Sequence, residues 1–90
     1  MSTTQNGLTP PSAQDIESWV IDFCRELGLP AEDATSNFFA MGGTSLTAMR
    51  LIASAEERYG EDVLPPEDLF ERSQLGQIAA VILMNSTPVS

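Results

Sequence analysis

The chain contains no histidine and no lysine, and its 90 residues include a single cysteine. Without histidine, a Ser-His-Asp triad, a Cys-His pair and a histidine metal site are all excluded. Without lysine, Schiff-base chemistry and Walker-type phosphate binding are excluded as well. Cys24 alone forms neither an internal disulfide nor a zinc cluster, and this cysteine usage favours a reducing compartment. These absences leave an acid/base pair of carboxylates open, but they disfavour self-contained catalysis, and we expect no catalytic residue and no metal site.

Positive charge is also scarce, because four arginines face thirteen acidic residues and the net charge is -9. This balance argues against binding to nucleic acid or to anionic membranes, and it favours partners with basic faces. No apolar run approaches the length of a membrane span. The first twelve residues have neither the basic region nor the apolar region of a secretory signal. We expect a cytoplasmic monomer.

Strand signals are weak, and the spacing of apolar residues predicts helices. Three main helices are predicted over residues 13–27, 45–59 and 74–84, with a short helical turn at 67–70. Ser12 and Ser73 are the expected N-caps of the first and last helices. A long first loop connects residue 29 to residue 44. The predicted fold is all-α: a small four-helix bundle built around one core, which suits a chain that is 42% hydrophobic.

The two ends of the chain differ in composition from the segment between them. Residues 1–11 are rich in Ser, Thr, Asn, Gly and Pro, and residues 85–90 have a similar composition. Such segments are typical of flexible tails. We therefore expect one folded domain over residues 12–84.

The second predicted helix has two apolar stripes on opposite sides. Its core face follows the spacing i, i+3, i+4, i+7, i+11 and comprises Ala48, Leu51, Ile52, Ala55 and Tyr59. The opposite stripe comprises Leu46, Met49 and Ala53. These are either scattered exposed apolar residues, which are normal for proteins, or part of a surface that binds a partner. With the polar residues beside it, the candidate partner surface consists of Thr44, Leu46, Met49, Arg50 and Ala53.

Ser45 lies at the start of this helix, directly after a Gly42-Gly43 pair and one threonine. Taken alone, the serine is most simply an N-cap. Its position also suits a covalently carried phosphate, because free N–H groups and the helix dipole favour negative charge there. The glycines are expected to adopt positive φ values and to leave room for a modifying enzyme. The chain has no base to activate the hydroxyl, so another protein must perform any chemistry on it.

The first loop has one apolar cluster, formed by Phe38, Phe39 and Met41. We expect this cluster to hold the loop against the bundle, with at least one phenylalanine buried.

Residues 36–52, SNFFAMGGTSLTAMRLI, resemble the modification site of carrier proteins, in particular the peptidyl carrier domains of nonribosomal peptide synthesis. The pattern of that family is roughly D-x-F-F-x-x-G-G-x-S-L. The matching residues are Phe38, Phe39, Gly42, Gly43, Ser45 and Leu46. The similarity continues through YGEDVLPPEDLFERSQLGQIAAVI and covers residues 12–84.

The resemblance implies an acyl-carrier-like helical fold with a 4′-phosphopantetheine arm on Ser45, attached by a phosphopantetheinyl transferase. The thiol of the arm would hold an aminoacyl, peptidyl or acyl group as a thioester. The implied partners are an adenylation or acyl-loading enzyme and a downstream condensation, tailoring or thioesterase enzyme. The chain itself would be a non-catalytic substrate of these enzymes.

The sequence departs from the family pattern at two points. Ser36 stands where the family often has Asp, which puts the capping or hydrogen-bonding role of that position in doubt. Thr44 stands where polyketide and fatty-acid carriers usually have Asp, and the outer face formed by Thr47, Arg50 and Ser54 is less acidic than theirs. Both observations about the second helix favour the peptidyl type. The alternatives are an acyl carrier of a polyketide or fatty-acid pathway, and an acidic helical adaptor that is never modified.

Overall fold

The computed structural model describes residues 12–86, and this part of the chain contains four α-helices and no strand beyond one isolated bridge. The helices are α1 (Ala13–Glu26), α2 (Ser45–Tyr59), α3 (Pro66–Glu71) and α4 (Leu75–Asn85). The predicted all-α bundle of three main helices and one short helix, with a long first loop, is confirmed. Tails were predicted at residues 1–11 and 85–90, of which residues 1–11 and 87–90 lie outside the described residues.

The helix ends agree with the predictions to within one residue. Ser12 is the N-cap of α1, as predicted, and its hydroxyl accepts a hydrogen bond from the Asp15 N–H at 3.1 Å. The last helix continues to Asn85, whose side-chain amide donates to the Val63 carbonyl at 3.1 Å. The folded unit therefore extends one residue beyond the boundary predicted at Met84.

The N-cap of α4 was predicted at Ser73, and this prediction is wrong. Gln74 is the cap residue, and its N–H donates to the side chain of Gln77 at 3.4 Å. The Ser73 hydroxyl donates instead to the carbonyl of Leu69 at 3.0 Å. Its backbone carbonyl accepts from the Phe38 N–H at 2.8 Å, so Ser73 joins the first loop to the end of α3.

All four helices contribute to one core, and α1 packs most extensively against α4. The helical core residues are Ile16, Val20 and Cys24 of α1, Ala48, Leu51, Ile52 and Ala55 of α2, Leu69 of α3, and Leu75, Ile78, Ala79, Val81 and Ile82 of α4. In α1, α2 and α4 these residues recur at a spacing of three or four, which places them on one face of each helix.

The first loop, residues 27–44, is tied to the start of α4 by backbone hydrogen bonds. Next to the Phe38–Ser73 bond, the Leu75 N–H donates to the Ser36 carbonyl at 2.9 Å. The Phe38 side chain is fully buried in the core. The prediction that at least one phenylalanine of this cluster is buried is confirmed. The loop leads directly into the start of α2.

Candidate functional site at the start of α2

The backbone at Gly43 lies directly on the buried ring of Phe38. The Gly43 N–H donates to the Phe38 carbonyl at 3.0 Å. A Cβ added to Gly43 would lie 2.5 Å from the Cε2 atom of Phe38, closer than side-chain carbons approach in proteins. The positive φ predicted for both glycines occurs only at Gly42, with a φ of 109°. The two glycines therefore serve different purposes: Gly42 turns the chain, and Gly43 permits close packing.

Thr44 is the N-cap of α2, with extended φ and ψ values of -122° and 173°. Its hydroxyl accepts a hydrogen bond from the Thr47 N–H at 3.3 Å. The Thr47 hydroxyl accepts in return from the Thr44 N–H at 2.8 Å, so that the two residues form a reciprocal capping box. The interpretation of Ser45 as the N-cap is wrong, because Ser45 is the first residue inside the helix.

The capping by Thr44 leaves the Ser45 hydroxyl available. The residue is exposed, and no hydrogen bond joins its hydroxyl to any group of residues 12–86. Within the same range, the N–H groups of Ser45 and Leu46 have no acceptor either. The first turn of α2 contains no acidic side chain. Free N–H groups and the positive end of the helix dipole suit a phosphate attached at this hydroxyl.

The candidate partner surface lies on the solvent side of α2, where the stripe was placed. The exposed fractions of Leu46 and Met49 are 66% and 56%, and Thr44, Arg50 and Ala53 are also exposed. On the opposite side of the helix, Ala48, Leu51, Ile52 and Ala55 of the core face are buried, and Tyr59 is partly buried. The predicted helical phase is confirmed, whereas docking of a partner on this surface stays a prediction.

Sequence analysis missed one aromatic residue near the first loop. Phe70 of α3 is 51% exposed, and its ring stacks on that of Phe39 with centroids 5.3 Å apart and an interplanar angle of 11°. The Phe39 ring also meets Phe38 edge to face, at 5.0 Å. The sequence holds no local signal for this contact, because α3 and the first loop are brought together only by tertiary packing.

Ser36 has a hydrogen-bonding role despite standing where the family often has Asp. Its hydroxyl accepts from the N–H groups of Glu32 and Asp33, at 3.1 and 3.3 Å. Beside it, the Thr35 hydroxyl donates to the Asp33 carboxylate at 2.6 Å, and the Thr35 N–H donates to the same oxygen. These two hydrogen bonds lower the pKa of Asp33, and the bond from the Thr35 hydroxyl has the larger effect. These polar contacts order the loop ahead of the phenylalanine pair.

The only thiol of the chain lies far inside the core. Cys24 is fully buried, and desolvation raises the pKa of its thiol to about 11. The thiol is therefore neutral at physiological pH and poorly nucleophilic. Among residues 12–86, no cluster of three or more His, Cys, Asp or Glu side chains is arranged to hold a metal ion. None of the helices described has the length and apolar character needed to cross a membrane.

The sequence profile of the family described as "Phosphopantetheine attachment site" matches residues 22–82. The matched segment includes the first loop, the start of α2 and most of α4. It therefore covers more than half of the chain and all of the geometry described at Ser45.

Among curated proteins, similar segments occur in very large synthetases. Tyrocidine synthase 3 of Brevibacillus parabrevis is 41% identical over 56 residues, 62% of this chain and 1% of that protein. D-lysergyl-peptide-synthetase subunit 1 of Claviceps purpurea (strain 20.1) is 38% identical over 81 residues, 88% of this chain and 2% of that protein. Enterobactin synthase component F of Escherichia coli O157:H7 is 35% identical over 60 residues, 67% of this chain and 5% of that protein.

The chain thus spans no more than 5% of the length of any of these three relatives. No solved structure gives a significant match to it.

Proposed function

The chain belongs to the phosphopantetheine attachment site family, and we propose from this premise that it is a carrier protein of nonribosomal peptide synthesis, with its arm attached to Ser45. The cofactor of the family is 4′-phosphopantetheine, which is bound covalently. One of the relatives named above is a subunit of a D-lysergyl-peptide synthetase, and the other two belong to synthases of tyrocidine and enterobactin. Their shared feature with this chain is a segment the size of one small domain.

One observation carries the assignment to Ser45: its hydroxyl is exposed and unbonded at the first position of α2, inside the segment that matches the family. The neighbouring hydroxyls are engaged, since Thr44 and Thr47 cap the helix and each other. A group attached to either threonine would disrupt the capping box. A group attached to Ser45 would leave every hydrogen bond of residues 12–86 in place.

The proposed attachment is a phosphoryl transfer from coenzyme A. The Ser45 Oγ attacks the phosphorus next to the pantetheine group, forming an Oγ–P bond. The P–O bond to adenosine 3′,5′-bisphosphate breaks, and the hydroxyl proton passes to a base of the phosphopantetheinyl transferase. We assign the base to that enzyme, because the chain has neither histidine nor lysine and the first turn of α2 contains no carboxylate.

The residues around Ser45 fit the group that it would carry. The free N–H groups of Ser45 and Leu46 are donors for the phosphate, and the first turn offers no acidic side chain that would repel it. When bound, the arm supplies a thiol that holds an aminoacyl or peptidyl group as a thioester. Cys24 does not compete for that group, since its thiol is buried and protonated.

In this proposal the chain catalyses no step and is a substrate of other enzymes. After the transferase, an adenylation enzyme loads the arm, and a condensation, tailoring or thioesterase enzyme collects the product. The proposed docking surface is that of Thr44, Leu46, Met49, Arg50 and Ala53. The proposed carrier unit consists of residues 12–84 together with Asn85, the last residue of α4. Its proposed setting is the cytoplasm, which suits a chain with one unpaired cysteine.

The second candidate function is an acyl carrier of a polyketide or fatty-acid pathway. Two residues argue against it: Thr44 in place of an acidic residue before the serine, and Arg50 on the outer face of α2. Both lie on the surface that a loading enzyme would meet.

The identity of the loading enzyme distinguishes the two candidates. Protein already carrying the arm is incubated either with a broad-range adenylation enzyme, ATP and amino acids, or with a malonyl transferase and malonyl-coenzyme A. We expect an aminoacyl thioester, seen by intact mass and cleaved by hydroxylamine, in the first reaction only. The matched control is Ser45→Ala, which should be loaded in neither. Malonyl loading without aminoacyl loading would identify an acyl carrier instead.

A further inference from the structure

Acidic residues are absent from the part of the chain that surrounds Ser45. All thirteen Asp and Glu residues lie outside residues 34–55, and Arg50 is the one charged side chain within that stretch. This stretch of the chain therefore has a formal charge of +1, opposite in sign to the net charge of -9 of the whole chain. Within it, Arg50 is the only charged side chain beside the exposed Leu46 and Met49.

Arg50 also differs from the other arginines in its contacts. Each of the other three side chains has a partner within the structure: Asp22 at 3.8 Å for Arg25, the ring of Tyr59 at 5.6 Å for Arg58, and Asp68 at 3.1 Å for Arg72. Arg50 is exposed and makes no ion pair, hydrogen bond or ring contact with residues 12–86. Its guanidinium therefore contributes nothing visible to the fold.

Arg50 is exposed on α2, five residues after Ser45 and about 140° from it around the helix axis. Five residues along α2 correspond to about 7.5 Å along the helix axis. Met49, which is 56% exposed, lies beside it. A protein that covers this surface must remove water from the guanidinium, and an unpaired buried charge is costly. The planar fork of arginine matches carboxylates and phosphates, and carboxylates are the anionic groups that protein side chains supply.

We propose that Arg50 is a specificity-determining residue for arm attachment, and that its guanidinium pairs with a carboxylate on the docking face of the phosphopantetheinyl transferase. The inference rests on the proposed function, because it takes Ser45 as the attachment site. It adds the chemistry of the partner surface: apolar around Met49 and Leu46, and anionic opposite Arg50.

The test compares the rate of arm attachment in four variants, using coenzyme A and a transferase that serves peptide-synthetase carriers. Arg50→Gln should lower kcat/KM by about two- to fivefold at low ionic strength, the range of one exposed ion pair. Arg50→Glu should lower it further, and Arg50→Lys should retain most of the rate. Arg58→Gln is the matched control, since it changes net charge equally about 20 Å along the axis from Ser45. It should react like the unaltered protein.

The dependence of the attachment rate on ionic strength distinguishes an ion pair with the transferase from a purely structural role of Arg50. The rate of the unaltered protein should fall as salt is added, and that of Arg50→Gln should depend less on salt, because screening weakens an ion pair. Equal rates for the unaltered protein, Arg50→Gln and Arg50→Glu would overturn the inference while leaving attachment at Ser45 intact. A failure of the unaltered protein to gain any mass would refute the proposed function itself.

Discussion

Replacing Phe38 with alanine tests the contact that positions the site. The side chain is fully buried and lies between the core and the backbone of Gly43. Truncating a buried phenylalanine costs about 3–5 kcal/mol of unfolding free energy, from lost burial and the cavity that remains. A folded unit of this size has roughly 4–11 kcal/mol in total. We therefore expect Phe38→Ala to lose about a quarter of its stability or more.

Phe39→Ala is the matched control, since it removes the same side chain from the next position of the same loop. Phe39 is only partly buried, packed between Phe38 and the exposed ring of Phe70. Its truncation should cost less than half as much. Urea unfolding followed by far-UV circular dichroism gives both free energies, provided that the m-value is unchanged. Equal costs for the two variants, or a cost below about 1 kcal/mol for Phe38→Ala, would show that Phe38 does not hold the loop.

Three further predictions concern single side chains of the site and the core. Thr44→Ala should lower the free energy of unfolding by about 0.5–2 kcal/mol, because the cap is lost. Ser45→Ala should lower it by less than about 0.5 kcal/mol. Thermal melts that show the reverse order would restore Ser45 as the N-cap. A maleimide at neutral pH should label the arm thiol of the folded protein but leave Cys24 unlabelled until denaturant is added; rapid labelling of folded protein without the arm would contradict the burial of Cys24. Met49→Asp should change stability by less than about 0.5 kcal/mol, yet it should slow transfer to a partner enzyme. Leu51→Asp should instead unfold the bundle. A stable Leu51→Asp variant would mean that the helical phase of α2 is wrong.

Local patterns were sufficient to predict the helices. In α1, α2 and α4, the apolar residues that face the core recur at helical spacing. This spacing is visible among residues that are close in the sequence. The cap at Ser12 was predictable for the same reason, since only one good cap residue directly precedes its apolar stripe. The two stripes of α2 were likewise readable, because their phase follows from the helical repeat alone.

The start of α2 could not be located as well from the sequence. Thr44 and Ser45 are both good cap residues, and the choice depends on which one has extended backbone angles. That is decided by the packing of Gly43 on Phe38, a tertiary contact. Ser73 was mistaken for a cap for a similar reason, because pairing of its backbone with the first loop is invisible in the local sequence. The motif points to Ser45 as the attachment site, which stays a prediction, and the structure corrected its place in the helix from N-cap to first residue.

The most direct test of the account is the mass of the intact protein after incubation with coenzyme A and a phosphopantetheinyl transferase. We predict a gain of one 4′-phosphopantetheinyl group, located on Ser45 by fragmentation of the peptide that contains it. Ser45→Ala should melt like the unaltered protein and gain nothing. An unmodified protein would indicate the adaptor alternative, and an arm on Ser36, Thr44 or Thr47 would contradict the assignment of the site.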